Sequence, residues 1–270
     1  AAIETELESR LINRGDGSFA LTPDGERVLH SFETVLSGID RLKGDLQGDM
    51  IPALEPLKIG AIDSISSTWM PHFIESLHRN FPSLKIELTV DGTKNLVAGM
   101  NKGEFDLIFS LYPVLGDGFR SFTSCVLQMV WAGSPKLIEP DRTYTVAALA
   151  DLPIISFPKN SPPYQMIAPY FHDEQALASK LTSCNSLYAI INLIIDGFGV
   201  GAIPTVTIRR ELDMGLLHQV KVAKRFPPIP IIASYQASTH QDFIRKVVDL
   251  ARVSAADYCA DVEPEMAWID

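Results

Sequence analysis

Residues 57–110 alternate strand and helix patterns over short connections, and this alternation constrains the fold more than any other feature of the chain. Leu57, Ile59 and Ile62 open a short apolar strand, and Asp63, Ser64, Ile65, Ser66 and Ser67 read as a polar loop. Met70, Phe73, Ile74, Leu77 and Phe81 recur three or four apart, the face of an amphipathic helix. Leu84, Ile86, Leu88 and Val90 alternate with the period of a strand. A turn at Asp91–Gly92–Thr93, a helix carried by Leu96, Val97 and Met100, and a strand over Phe105 to Phe109 complete the run. Strand–helix–strand–helix–strand with short right-handed crossovers predicts a parallel α/β sheet.

In open α/β sheets ligands sit beyond the carboxyl ends of the strands, where helix N-termini offer unsatisfied N–H groups and partial positive charge. Hydroxyl and amide residues stand at those ends here: Ser66, Ser67 and Thr68 after the first strand, Thr93 after the second, and Asn185 and Ser186 farther along. These six, with Tyr188 to cover an apolar part, are the candidate binding residues for a small organic anion or polar metabolite. The competing reading is that each is only a helix cap. Trp69 is a bulky neighbour in this region.

Enzyme signatures are missing. The six histidines form neither HExxH nor a paired metal spacing, no GxSxG elbow occurs, and Asp173–Glu174 beside His172 reads as a solvated surface. Neither a catalytic residue, a cofactor nor a metal is expected. Cys125, Cys184 and Cys259 stand far apart without a CxxC and read as buried thiols rather than a redox pair or disulfide framework. No apolar run approaches the ~20 residues of a membrane span. With no signal peptide and 33 acidic against 23 basic residues, net charge −10, the expectation is a cytoplasmic protein with at most a small nucleic-acid-binding patch.

Upstream, Ala1 to Arg14 reads as helix with Ile3, Leu7 and Leu11 on one face, then a turn at Gly15–Ser18 and an extended piece over Phe19–Leu21. Thr22–Pro23 starts a new helix with acids Asp24 and Glu26 in its first turn. Val28, Phe32, Val35, Ile39, Leu42 and Leu46 then alternate steps of four and three. About three such heptads cannot bury their stripe alone. Self-association through Val28, Phe32, Val35, Ile39 and Leu42 is favoured over packing within the chain, because Gly48 and Pro52–Pro56 separate this helix from the α/β region.

After Ser110 comes a loop, a strand read over Phe122 to Ala132, and a second α/β run. That run has a helix at 146–149, a buried strand at 154–157, a strand at 181–184 and an apolar helix over Ala189–Ile195. The glycine run Gly197 to Pro204 is a poor nucleotide fingerprint, since it comes after a helix; it reads as a C-cap at Gly197 and a short strand ending at Pro204. Strands over Leu216–Val222 and Ile229–Tyr235, a last helix capped by Thr239, and an acidic aperiodic tail from Asp257 complete the chain.

In one register from end to end, these features resemble the LysR-type transcriptional regulators. The matching residues are Ile3-Glu4, Leu7-Glu8, Leu11-Ile12-Asn13-Arg14, Leu21-Thr22-Pro23-Asp24-Gly25, the seam helix, and Leu57-Lys58-Ile59-Gly60 with the Phe-Pro pair at Phe81-Pro82. Glu8 stands where that family has glycine and Ile12 where it has phenylalanine. The resemblance implies an α/β, two-lobed, periplasmic-binding-protein-like effector domain, preceded by a winged-helix remnant and a long dimerisation helix. Residues 1–21 would be the remnant of a winged helix-turn-helix and 22–48 the linker and dimerisation helix. Residues 57–258 would form the effector-binding domain, with lobe I at 57–134 and 229–258 and lobe II at 135–228. The chain would start late in the recognition helix, leaving Arg10 and Arg14 to meet DNA phosphates. The implied partners are promoter DNA for the complete protein, a small-molecule effector, and further copies in a homodimer or homotetramer. The alternative on the same bilobal fold is a stand-alone solute-binding protein or an enzyme, neither of which needs the seam helix.

Overall fold

A computed structural model describes residues 2–7, 9–15, 18–29, 31–32, 35, 56–116, 118–171, 181–236 and 241–269. The chain divides into two compact units, one over Ala1–Glu55 with Thr239–Phe243, the other over Pro56–Ser238 with Ile244–Asp270.

In the first unit a helix spans Ala2–Glu6, followed by an antiparallel hairpin of β1 (Ile12–Gly15) and β2 (Ser18–Leu21), paired Ile12 to Leu21 through Gly15 to Ser18. The helix expected to run to Arg14 therefore ends early. The cause is a contact that periodicity does not report: the Glu4 carboxylate accepts the backbone N–H groups of Leu11 (3.0 Å) and Ile12 (3.2 Å), and the Leu11 carbonyl accepts from Thr22 N–H (3.0 Å). Ile12 and Asn13 are also weak helix formers, so little opposes the hairpin. Thr22 caps the next helix as expected, its Oγ1 accepting Gly25 N–H at 2.9 Å while donating to the Arg10 carbonyl at 2.6 Å. Residues 23–29 are helical, as are 31, 32 and 35. Gly25 lets this helix lie on the hairpin: a Cβ there would stand 2.0 Å from the Leu11 carbonyl oxygen. Of the seam, Val28 is half-buried while Phe32 and Val35 are exposed; Ile39, Leu42 and Leu46 lie outside the described residues.

The second unit is built on a six-stranded sheet. Its strands are β3 (Leu57–Ala61), β4 (Ile86–Val90), β5 (Leu107–Ser110), β6 (Phe119–Leu127), β14 (Ile229–Gln236) and β15 (Ala267–Trp268). The spatial order is β15-β6-β14-β5-β3-β4, with β3 parallel to both β4 and β5 and the other pairings antiparallel. The parallel strands carry the helices Met70–Asn80 and Thr93–Asn101 in their crossovers, as the alternation predicts. Asp63–Ser66, read as loop, is a short helix. Trp69 is fully buried and packs edge-on against Phe109 at 4.9 Å with Phe73 beside it.

The strand expected over 122–132 is two strands. β6 ends at Leu127 in the first sheet and β7 (Met129–Gly133) begins the second lobe. Gln128 marks the crossing. Its carbonyl accepts Thr205 N–H (2.9 Å), its Nε2 donates to the carbonyls of Met129 (2.8 Å) and Phe226 (3.3 Å), and its N–H donates to the Met266 carbonyl (2.9 Å). In this lobe β7 lies between β11 (Gly201–Pro204) and β12 (His218–Gln219), while β9 (Ile154–Ser156) runs parallel to β10 (Leu181–Ser183) and β8 (Thr143–Tyr144) to β13 (Lys221–Val222). The helix Leu187–Ile195 buries Leu187, Ile190, Ile191 and Ile194 at helical spacing against Ile155 and Ile203. The C-cap is Asp196, one residue before the Gly197 read from sequence; Gly197 takes φ +84° just after it, and the next strand ends at Pro204, as read from sequence. His172, Asp173 and Glu174 lie outside the described residues.

The expected aperiodic tail is ordered. The last helix runs from Gln241 to Asp261, and β15 then adds to the sheet edge beside β6. Thr239, read as the cap of that helix, lies outside the described residues. The acidic residues that give the segment its tail-like pattern lie largely on the exposed side, while Ala255, Cys259, Val262 and Ala267 are buried.

Candidate functional site

The two lobes face each other where the turn after β3 approaches the start of the helix Leu187–Ile195. The contact is polar. The Asp63 carboxylate accepts the backbone N–H of Leu187, the first residue of that helix. A helix N-terminus carries unsatisfied donors and partial positive charge, so a carboxylate is well placed there. Half-burial nonetheless raises the Asp63 carboxyl above the ordinary aspartate value. The Leu187 N–H pulls the other way, and the nearby Asp91 charge pushes it up again. Asp91 is held in turn by Gly92 N–H (2.6 Å) and by Asn95 Nδ2 (3.0 Å), just before the helix Thr93–Asn101.

Ser66, Ser67 and Thr68 stand at the C-terminal end of the short helix, not at its start. Their hydroxyls are turned inward: Ser66 and Ser67 donate to the Asp63 carbonyl (2.9 and 2.8 Å), and Thr68 donates to the Ser64 carbonyl (2.6 Å). A hydroxyl has one proton to give, so in this arrangement the three offer lone pairs only. Thr93 is buried, and its Oγ1 accepts Leu111 N–H at 3.1 Å, fixing the loop after β5. On the facing lobe Ser186 is the N-cap and accepts from Ala189 N–H at 3.4 Å, while Asn185 and Tyr188 are exposed at the same helix start. The structure thus brings Ser186 and the Asp63–Thr68 turn together.

Other residues at this wall are not singled out by the sequence pattern. Asp63 and Asp91 read as turn acids. Tyr112 and Gln165 make a second bridge between the lobes, from the Tyr112 hydroxyl to Gln165 Oε1 at 3.4 Å. Ser156, at the end of β9, has a buried hydroxyl with no partner, and its carbonyl accepts Cys184 N–H at 2.9 Å beside the Asn185–Ser186 turn. Only the hydroxyl and glycine pattern at strand ends signals this region at all. Ser67 also borders a depression of about 580 Å3 with Thr207, Arg209 and Arg210. Arg209 pairs with Glu263 at 3.4 Å.

In the first unit Arg10 is exposed just before β1, and Arg14 lies on β1 opposite Phe19. Among the described residues no group of three or more His, Cys, Asp or Glu is placed to hold a metal, and no helix is long and apolar enough to cross a membrane.

Comparison with known proteins agrees with this architecture. Residues 54–255 match the family model described as LysR substrate binding domain. The HTH-type transcriptional regulator CzcR of Bacillus subtilis (strain 168) is 22% identical over 216 residues, covering 80% of this chain and 72% of that protein. CzcR of Bacillus anthracis is 19% identical over 250 residues, covering 91% of this chain and 84% of its own length. Among solved structures, a full-length OxyR variant from Pseudomonas aeruginosa superposes with a TM-score of 0.71 at 19% identity, covering 94% of this chain and 82% of that one. The chain therefore belongs to the LysR substrate-binding-domain family and is a LysR-type transcriptional regulator with an effector-binding domain.

Proposed function

We propose that this regulator holds a small organic anion between its lobes, at Ser66, Ser67, Thr68, Thr93, Asn185, Ser186 and Tyr188, and that occupancy of the cleft modulates binding to promoter DNA. The observation that carries this reading is the Asp63–Leu187 contact, because the protein itself already seats a carboxylate between the lobes. An effector carboxylate would take the same N–H donors, with Asp63 released. The lone pairs of Ser66, Ser67 and Thr68 and the charge of Asp91 call for donors on the rest of the ligand, so amino acids and hydroxy acids fit better than simple anions. The unpartnered Ser156 hydroxyl supports a polar occupant beside Asn185 and Ser186.

On this reading the protein is a cytoplasmic homodimer or homotetramer, joined through Val28, Phe32, Val35, Ile39 and Leu42, with Arg10 and Arg14 on DNA phosphates. Exchanging Asp63 for a ligand changes the link between the lobes, and a dimer converts that change into a different spacing of its DNA-binding ends. A thermal-shift screen of amino, hydroxy and aromatic acids tests the proposal. A donor-bearing acid should raise Tm, and that rise should be lost in Ser186→Pro. Stabilisation only by ligands without a carboxylate would refute the anion.

A further inference from the structure

A cavity of about 790 Å3 lies where the chain crosses between the lobes, and none of the residues lining it belongs to the Asp63–Thr68 turn or to the helix start at Ser186. It touches both crossings: Gln128, between β6 and β7, and Arg225 with Phe226, just before the chain returns in β14. The turn before β15 and β15 itself supply Glu265 and Trp268. Part of the lining is aromatic. Trp131 and Phe226, both buried, meet edge to face at 6.2 Å, and Trp268 is half-buried. Gln128 Nε2 already serves the Phe226 carbonyl, so the hinge backbone is satisfied there without a ligand.

The charges are not. Four charged side chains line the cavity. Lys221 pairs with Asp141 at 3.0 Å, and Glu263 pairs with Arg209 at 3.4 Å. Among the described residues, the side chains of Arg225 and Glu265 have neither an ion pair nor a hydrogen bond. One unmatched charge of each sign beside an aromatic lining suits a ligand that carries both signs and an apolar body. We propose that this cavity is a second ligand site, separate from the cleft, for an apolar α-amino acid. Its carboxylate pairs with Arg225, its ammonium with Glu265, and its side chain packs on Trp268. The volume is in the range of small-molecule sites. A plain carboxylate leaves Glu265 unmatched and a plain amine leaves Arg225 unmatched, so each binds more weakly than the zwitterion. The lining residues Trp131 and Trp268 belong to different sheets, so an occupant favours one arrangement of the lobes from the hinge side, whatever the cleft holds.

Tryptophan emission follows binding directly, because Trp131 and Trp268 line the cavity and the third tryptophan, Trp69, does not. The whole chain is titrated with leucine, methionine and phenylalanine, with glycine as the zwitterion lacking an apolar body. The expected result is a saturable change with at least one of the three and none with glycine. Arg225→Gln and Glu265→Gln, both exposed positions, should each weaken that binding by about 2- to 5-fold. The amine lacking the carboxylate should bind more weakly than the amino acid and be insensitive to Arg225→Gln. No saturable change with any of the three would overturn the proposal. So would an affinity that both glutamine variants leave unchanged and Ser186→Pro abolishes, which would put the amino acid in the cleft instead.

Discussion

The Asp63 carboxylate of one lobe accepts the backbone N–H of Leu187, where the helix of the other lobe begins. A side chain just beyond the first strand of the α/β run thereby meets the N-terminus of a helix on the opposite wall. The link is charged, half-buried and next to a second acid, Asp91, so its strength depends on protonation.

That dependence has a sign. Burial raises the Asp63 carboxyl in the folded state, so its contribution to stability is fully present below the unfolded value and is lost as pH rises through the folded one. At neutral pH the charged group is a net cost. Asp63→Asn should therefore raise Tm by about 1–3 °C at pH 7. The gain should shrink as pH falls toward the ordinary aspartate range. A melting series from pH 7 to pH 4 checks this; a gain that grows on acidification would contradict it.

Thr93 offers a stability test at the same wall. Its hydroxyl is the acceptor for Leu111 N–H inside a buried site. Thr93→Val keeps the shape but strands that donor, at a cost of about 1–3 kcal/mol. Urea denaturation should detect the loss, and Thr93→Ser should restore most of it. Equal stability of the valine and serine variants would mean that the hydroxyl contributes nothing there.

The seam helix makes a prediction about assembly. Phe32 and Val35 are exposed apolar residues four and three apart from their seam neighbours, as a helix awaiting a partner requires. Sedimentation of Phe32→Asp should show a lower mass than the parent at the same concentration. An unchanged mass would exclude this face as the joint.

Gly25 tests the packing of the first unit. A methyl group at this position would stand 2.0 Å from the Leu11 carbonyl oxygen, and that carbonyl is already tied to Thr22 N–H. Gly25→Ala should break the seating of the helix on the hairpin and cost about 1–3 kcal/mol. Hydrogen exchange at Leu11 and Thr22 should accelerate selectively; protection equal to the parent would show that the backbone absorbs the methyl group.

Local pattern makes much of the architecture legible. The alternation across 57–110 is strong because period-two and period-3.6 stretches succeed each other with little room for loops, and Gly197 signals its own positive φ. The hairpin at Ile12–Leu21 is not legible, because the Glu4 carboxylate that claims Leu11 and Ile12 leaves no trace in hydrophobic periodicity. Gln128 hides the change of sheet between β6 and β7, since one polar residue inside a long apolar run looks like noise. At the candidate site the turns are legible but the hydrogen-bond state is not. That Ser66, Ser67 and Thr68 spend their protons on helix carbonyls, and that Asp63 reaches Leu187, depend on three-dimensional neighbours.

The central claim is that an effector carboxylate competes with Asp63 for the helix start at Leu187. Calorimetric titration of an acid that raises Tm, into the parent chain and into Asp63→Ala, tests it most directly. The account predicts tighter binding to Asp63→Ala by roughly 2- to 5-fold, the worth of a charge at a helix N-terminus. Equal affinity for the two proteins, or weaker binding to the variant, would contradict it.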